Sequence, residues 1–200
     1  MARLYVRAGH GPNRRYPPAR TVTGLWLIDN AFHAPNDDSA SVPRVNVWWR
    51  TLLTIWRAKA MLRRNGPMSP RSVGRVRLRT LPTDIDLLMH MNNGRYASLF
   101  DLGRFDLLIR TGLWDAMNSR DWYAVVASET VTFRKSLQLW QRFTVESRLY
   151  GHDDKAVYQI HRAVVDGEVY AEMIVRARFL RKTGGVVNTD EPVSYTHLRA

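Results

Sequence analysis

Apolar and polar positions alternate along residues 73–80, with Val76, Leu78 and Thr80 on one side and Arg75, Arg77 and Arg79 on the other. Period two marks a half-buried strand. It ends at Pro82, and a loop over Thr83–Met91 follows. The period then lengthens. Tyr96, Leu99, Phe100, Gly103 and Leu107 fall at helical spacing, with Asn92 or Asn93 placed to cap the first turn and Gly112 to stop the last. Gly103 in mid-helix costs roughly 1 kcal/mol against alanine; it either allows close approach of a sheet or is a tolerated surface glycine. Four more strands follow. They are Tyr123–Phe133, a segment with Phe143, Val145, Ser147 and Leu149 on one face, Ala156–Val165, and a last one with Val169, Ala171, Met173, Val175, Ala177 and Phe179 on one face. Asp166-Gly167 between the last two is a two-residue hairpin signal, and Gly184-Gly185 closes the series. One apolar helix and one apolar sheet face must bury each other, so the fold class is α+β.

Residues 45–64 form a separate helical pattern, with Trp49, Leu52, Leu53, Trp56 and Ala60 on one face and Arg50, Arg57 and Arg64 every seven residues on another. Tryptophans beside arginines and Lys59 suit an anionic membrane surface, and docking on the chain's own domain or on a second copy is the alternative. Asn65-Gly66-Pro67 ends this helix. Residues 1–44 are rich in Arg, Pro, Gly, Asn and Ser and read as a poorly structured extension or a misassigned start. The tail Ser194–Ala200 reads as non-native sequence, which leaves His197 without meaning.

The net charge of +12 changes the picture only once it is located. Residues 1–80 hold 15 Lys and Arg against 3 Asp and Glu, whereas residues 81–200 hold 15 of each. The expected domain over about 70–190 is thus neutral, and with no basic aromatic sheet face it is not a nucleic-acid binder. No uninterrupted apolar run reaches the roughly 18 residues of a membrane span, and no signal-peptide run opens the chain. There is no cysteine, which removes disulfides, thiolate nucleophiles and cysteine metal sites and fits a reducing compartment. The expected location is the cytoplasm of a bacterial-type cell, with 45–64 peripheral at the inner membrane face.

The chemistry concentrates in Pro82–Tyr96. No G-x-S-x-G elbow, H-E-x-x-H or P-loop occurs, and Gly9-His10-Gly11-Pro12 lacks the rest of a dinucleotide loop. His152, Asp153 and Asp154 read as a solvated turn. No cofactor and no metal are expected. The segment 82–96, by contrast, places Asp84, Asp86, His90, Asn92 and Asn93 just before a helix start. Unpaired N–H groups there carry positive partial charge and can polarise a carbonyl. A carboxylate beside them can attack a thioester or activate water. Asp84 and Asp86 can equally serve to order the loop, and the asparagines to cap.

The pattern Asp84-x-Asp86, then His90-x-Asn92-Asn93 and Tyr96, resembles the hotdog thioesterase superfamily, in particular the 4-hydroxybenzoyl-CoA thioesterase type. Asn92-Asn93-Gly94-Arg95-Tyr96 with Asp101-Leu102-Gly103-Arg104 is similar to the THEM6-like group of that superfamily. The resemblance implies an antiparallel sheet wrapped around one long helix, and dimers or tetramers of identical chains with the acyl site between subunits. It implies an acyl-CoA or acyl-carrier thioester substrate hydrolysed to acid and thiol. It assigns catalysis to Asp86, a proton-carrying role to His90, loop support to Asp84, and substrate binding to Asn92, Asn93, Gly94 and Tyr96. The plant acyl-carrier thioesterases share the His-x-Asn-Asn portion, but their intervening asparagine is Leu88 here. Glu129 is a second candidate carboxylate, with exposure on an edge strand as its plain alternative. The competing functions are a non-catalytic acyl-binding or membrane-associated hotdog protein and an acyl-thioester dehydratase, whose His and carboxylate arrangement the loop lacks.

Overall fold

The structure, a computed structural model, describes residues 45–189, all within one compact unit. The expectations for residues 1–44 and 194–200 lie outside the described residues. The elements in chain order are α1 (Val45–Asn65), β1 (Gly74–Arg79), one 3-10 turn (Pro82–Asp84), α2 (Asn93–Arg110), α3 (Leu113–Ser119), β2 (Trp122–Phe133), β3 (Arg142–Asp153), β4 (Ala156–Val165) and β5 (Glu168–Arg181). The strands form one sheet in the order β1-β3-β4-β5-β2, antiparallel at every pairing. This is the expected α+β arrangement. The short element α3 was not anticipated. Gly112, read as a stop signal, takes φ 75°, and the chain re-enters a helix at Leu113.

The period-two faces appear where the pattern puts them except at Val169, where a register shift in the β4–β5 pairing takes it off the buried face and Tyr170 packs against the core instead. Phe143, Val145 and Ser147 of β3 and Ala171, Met173, Val175, Ala177 and Phe179 of β5 are buried, with Leu99, Phe100 and Leu102 of α2 against the sheet. Asp166 and Gly167 both take positive φ, 48° and 85°, the geometry that lets a two-residue loop follow the twist of its strands. Gly103 explains itself at the helix–sheet contact. A Cβ there would overlap Ser147 Oγ and lie 2.6 Å from Val145 Cγ1.

Beside that contact sits a buried polar pair. Ser147 and His161 face each other across β3 and β4, with Oγ and Nδ1 2.8 Å apart. Phe100 stacks on the imidazole with ring centroids 6.2 Å apart. Burial, with the Arg104 guanidinium as a lesser cause, pushes His161 down from 6.5 to about 3.

α1 forms as expected, and its tryptophan face is not the one that docks on the domain. Its buried face is Val47, Arg50, Thr51, Thr54 and Ala58, and it packs on α2. The tryptophan and leucine face points outward, with Trp49 66%, Trp56 68%, Leu52 54% and Leu53 45% exposed. Arg50, expected on a lipid-facing side, is therefore buried.

Two outcomes follow for stability. Gly103→Ala improves helix propensity, yet overpacking against Ser147 and Val145 should lower stability by about 1–3 kcal/mol in urea unfolding. For His161 the folded pKa lies below the unfolded one, so the neutral ring contributes stability above pH 6.5 that is lost as pH falls toward 3. His161→Gln should flatten this acid limb. Between about pH 6 and pH 4 the wild-type chain should lose up to about 1.4 kcal/mol per pH unit more than the variant, read by urea unfolding across pH.

Candidate active site

The segment before α2 is a tight loop stitched to its neighbours by main chain. Ile85 and Met91 form an antiparallel bridge, and His90 bridges Gln138. The Asp86 N–H donates to the His90 carbonyl at 3.0 Å, and the Met89 N–H to the Asp86 carbonyl at 3.0 Å. Met89 reaches this turn with φ 64°, a left-handed conformation unusual for a branchless apolar residue. The Met91 N–H donates to Leu137 and the Asn92 N–H to the Asp84 carbonyl, at 2.8 and 2.9 Å. Asn92 then caps α2, its Oδ1 accepting the Gly94 N–H at 2.8 Å.

Asp84 is the anchor of this loop. Its side chain is fully buried. Oδ2 accepts from Arg50 Nη1 at 2.9 Å and from the Leu81 N–H at 2.9 Å. Oδ1 accepts from Arg95 Nη2 at 3.1 Å and Nε at 3.3 Å. A carboxylate this deep is tolerated only when paired and hydrogen-bonded, and here both oxygens are.

Asp86, two residues on, is held but not enclosed. Its Oδ1 accepts the Leu88 N–H at 2.9 Å, and its Oδ2 lies 3.5 Å from His90 Nδ1. That approach is not aligned as a hydrogen bond, and both side chains are half-buried. The tip between them is apolar and open, with Leu87 fully exposed, Leu88 75% and Met89 64%. Asn92, Asn93 and Gly94 lie exposed at the start of α2. The structure thus puts Asn92, Asn93 and Gly94 on the surface at the start of α2, with Asp86 and His90 half-buried in the loop before it and His90 Nδ1 itself shielded from solvent. Tyr96 is elsewhere. It is buried in the core between Phe100 and Phe133, its hydroxyl accepting the Leu137 N–H at 3.2 Å, and burial raises its pKa.

Glu129 is exposed on β2, an outer strand of the sheet. It acts on Asp101, which enters the sequence reading only as part of a motif and has no role there. Asp101 of α2 is raised by burial first and further by Glu129, while Arg104, 2.7 Å away, opposes the shift. The three-residue spacing of Asp101 and Arg104 on one helix face was the available signal. Arg50 and Arg95 were also missed as partners of Asp84. His152, Asp153 and Asp154 are exposed at the β3–β4 turn, where Asp153 Oδ1 accepts the Lys155 N–H and holds its carboxyl below the usual range. Among the described residues no group of three or more His, Cys, Asp or Glu could hold a metal ion. An open crevice of about 550 Å³ lies beside β1, lined by Arg57, Arg75, Arg77 and Arg110 among others, and none of its lining residues comes from 82–96.

Comparison with known proteins fits this anatomy. The sequence profile of the Thioesterase-like superfamily matches residues 80–194. Protein THEM6 of Xenopus laevis is 40% identical over 98 residues, 49% of this chain and 47% of that protein. The chain spans about half the length of the curated relatives it matches. Those are animal proteins, so the bacterial-type expectation finds no support in them. Among solved structures, the probable thioesterase YbaW from Escherichia coli superposes with a TM-score of 0.58 at 19% identity, over 61% of this chain and 97% of that one. A Staphylococcus aureus protein solved in complex with CoA gives 0.57 at 18%, over 64% and 82%. The fold is the hotdog fold. By the profile match over more than half its length, the chain belongs to the Thioesterase-like superfamily.

Proposed function

We propose that the chain is a thioester hydrolase that cleaves an acyl-CoA or acyl-carrier thioester to free acid and thiol, with Asp86 as its catalytic carboxylate. The observation that carries this reading is the placement of Asp86, a half-buried carboxylate 3.5 Å from His90 in the loop that feeds the start of α2. The Gly94 and Arg95 N–H groups are taken by Asn92, so what the exposed first turn of α2 offers a thioester oxygen is the positive end of the helix dipole. Asp86 either attacks the carbonyl carbon, giving a mixed anhydride that water then hydrolyses, or takes a proton from a water that attacks directly; in both cases the carbon–sulfur bond breaks and the thiolate leaves as thiol with a proton from that water. In this reading His90, once it closes on Asp86 from 3.5 Å, carries a proton to or from it. Asn92, Asn93 and Gly94 bound the opening. Asp84 supports the loop and does not touch substrate. CoA is the favoured carrier, because a structural neighbour was solved with CoA bound.

The open side of the site favours more than one chain. Leu87, Leu88 and Met89 expose apolar surface at the loop tip, and β2 is a twelve-residue outer strand with Val126 and Phe133 each 43% exposed. A long exposed edge is a template for pairing. A homodimer or homotetramer would cover both and enclose the acyl group between subunits.

A second reading, binding to an anionic membrane surface, draws on the outward stripe of α1. Trp48, Trp49, Leu52, Leu53 and Trp56 are all exposed, with Arg57 and Lys59 alongside. No helix among the described residues is long and apolar enough to cross a membrane. A helix of this kind lies in the headgroup region, each basic residue contributing about 1 kcal/mol, screened by salt. The stripe serves equally a protein that binds acyl groups without hydrolysis.

Thiol release from a panel of acetyl-, hexanoyl-, palmitoyl- and benzoyl-CoA tests the enzymatic reading. Wild type should turn over at least one member, and Asp86→Asn should lose about a hundredfold or more in kcat. Equal rates for the two proteins would remove Asp86 from the mechanism, and a silent panel would leave the acyl-binding reading. For the membrane, Trp49→Ser/Trp56→Ser should sharply reduce co-sedimentation with vesicles of phosphatidylserine and phosphatidylcholine while leaving thiol release within about twofold, as a surface change away from the site. Wild-type protein that stays in the supernatant at low salt would defeat the membrane reading.

A further inference from the structure

We infer that Arg50 is a positioning residue for the loop that carries Asp86, although it belongs to α1, which precedes the segment matched by the superfamily profile. The inference rests on the proposed role of Asp86. Arg50 uses the two ends of its guanidinium on different elements. Nη1 donates to Asp84 Oδ2 at 2.9 Å, and Nη2 donates to the carbonyl of Arg79, the last residue of β1, at 2.7 Å. Arg95, from the first turn of α2, holds the other oxygen of Asp84. Asp84 is therefore gripped from two helices, and its own carbonyl takes the N–H of Asn92, the residue that caps α2.

The register transmits this grip. A single residue, Ile85, separates Asp84 from Asp86, and Ile85 is itself bridged to Met91. Any shift of Asp84 tilts the short hairpin on which Asp86 and His90 face each other. Without Arg50, Oδ2 keeps only the Leu81 N–H, and the carboxylate loses its fixed position between α1 and α2. A planar fork spanning two acceptors is what arginine supplies and lysine does not. The remaining buried residues of α1, Val47, Thr51, Thr54 and Ala58, carry no link to the loop among the hydrogen bonds of the described residues. They serve docking alone.

Full-length Arg50→Met, Arg50→Lys and Thr54→Ala, each 15N-labelled, separate positioning from docking. In Arg50→Met the backbone amide signals of Asp86, Leu88, His90 and Asn92 should move. Its kcat on the best acyl-CoA of the panel should fall by about a hundredfold with KM within about threefold, the signature of misplaced rather than unbound substrate. Arg50→Lys should recover part of both effects. Thr54→Ala should lower the melting temperature yet keep the loop signals and kcat. Superimposed loop signals in Arg50→Met would overturn the inference, and so would equal effects from Thr54→Ala. If Arg50→Met does not fold, Arg50→Met/Asp84→Asn removes the unpaired buried charge and is held to the same outcomes. If wild type cleaves no thioester, the hydrolase reading fails, while the amide signals still decide whether Arg50 places the loop.

Discussion

A carboxylate with no exposed surface lies at the joint of this fold. Asp84 is shielded from water, and a charge in that position is tolerable only if the protein supplies what water would have supplied. It does so from three directions, with Arg50 of α1, Arg95 of α2 and the main chain of Leu81. Removing one member of such a set typically costs about 3–5 kcal/mol, because the loss leaves a charge uncompensated. Satisfying Asp84 ties together α1, the first turn of α2 and the chain leaving β1. These are the three boundaries of the loop that holds Asp86.

This constraint explains why α1 lies with its larger apolar face outward. Helical periodicity reports an apolar stripe but carries no information about what the stripe will meet. Trp49, Leu52, Leu53 and Trp56 dominate that stripe by size, so the pattern alone points them inward or toward lipid. The face that docks is narrower and mixed, made of Val47, Thr51, Thr54 and Ala58 around Arg50. Small residues let α1 approach α2 closely, and the hydroxyl of Thr51 is satisfied within its own helix by the Val47 carbonyl at 2.8 Å. An arginine amid small polar residues was the legible sign of a buried ion pair, but its partner lies 34 residues away and only the fold brings them together.

Elsewhere legibility followed the range of the interaction. The strand faces, the Asn92 cap and the Asp166-Gly167 turn are set within a few residues, and each appears where the pattern placed it, Val169 aside. The close contact at Gly103 was legible as a need, since an unforced glycine in a helix is a cost, but its partners Val145 and Ser147 were not. The continuation into α3 was hidden because Gly112 in a left-handed conformation ends one helix and begins the next equally well. Tyr96 shows the limit for the site. The motif groups it with Asn92 and Asn93, yet helical geometry rotates it away from them and into the core. There its hydroxyl secures the Leu137 amide, one residue from Gln138, the bridge partner of His90. It contributes to the site by holding the floor under it.

The site therefore divides into a part that is fixed and a part that is open. Buried ion pairs and main-chain bridges immobilise Asp84, Ile85, Met91 and the segment at Leu137. From that floor projects a short lip, Leu87 to Met89, with large apolar side chains in water. Apolar surface at the rim of a polar site has a physical consequence. It is stabilised by whatever covers it, an acyl chain or a second copy of the protein, and either cover would also lower the local dielectric around Asp86 and His90. Electrostatic interactions among the carboxylate, the imidazole and the first turn of α2 strengthen in that covered state. In the proposed hydrolase, a rigid floor with an apolar lip would thus link occupancy of the site to the strength of the charges within it.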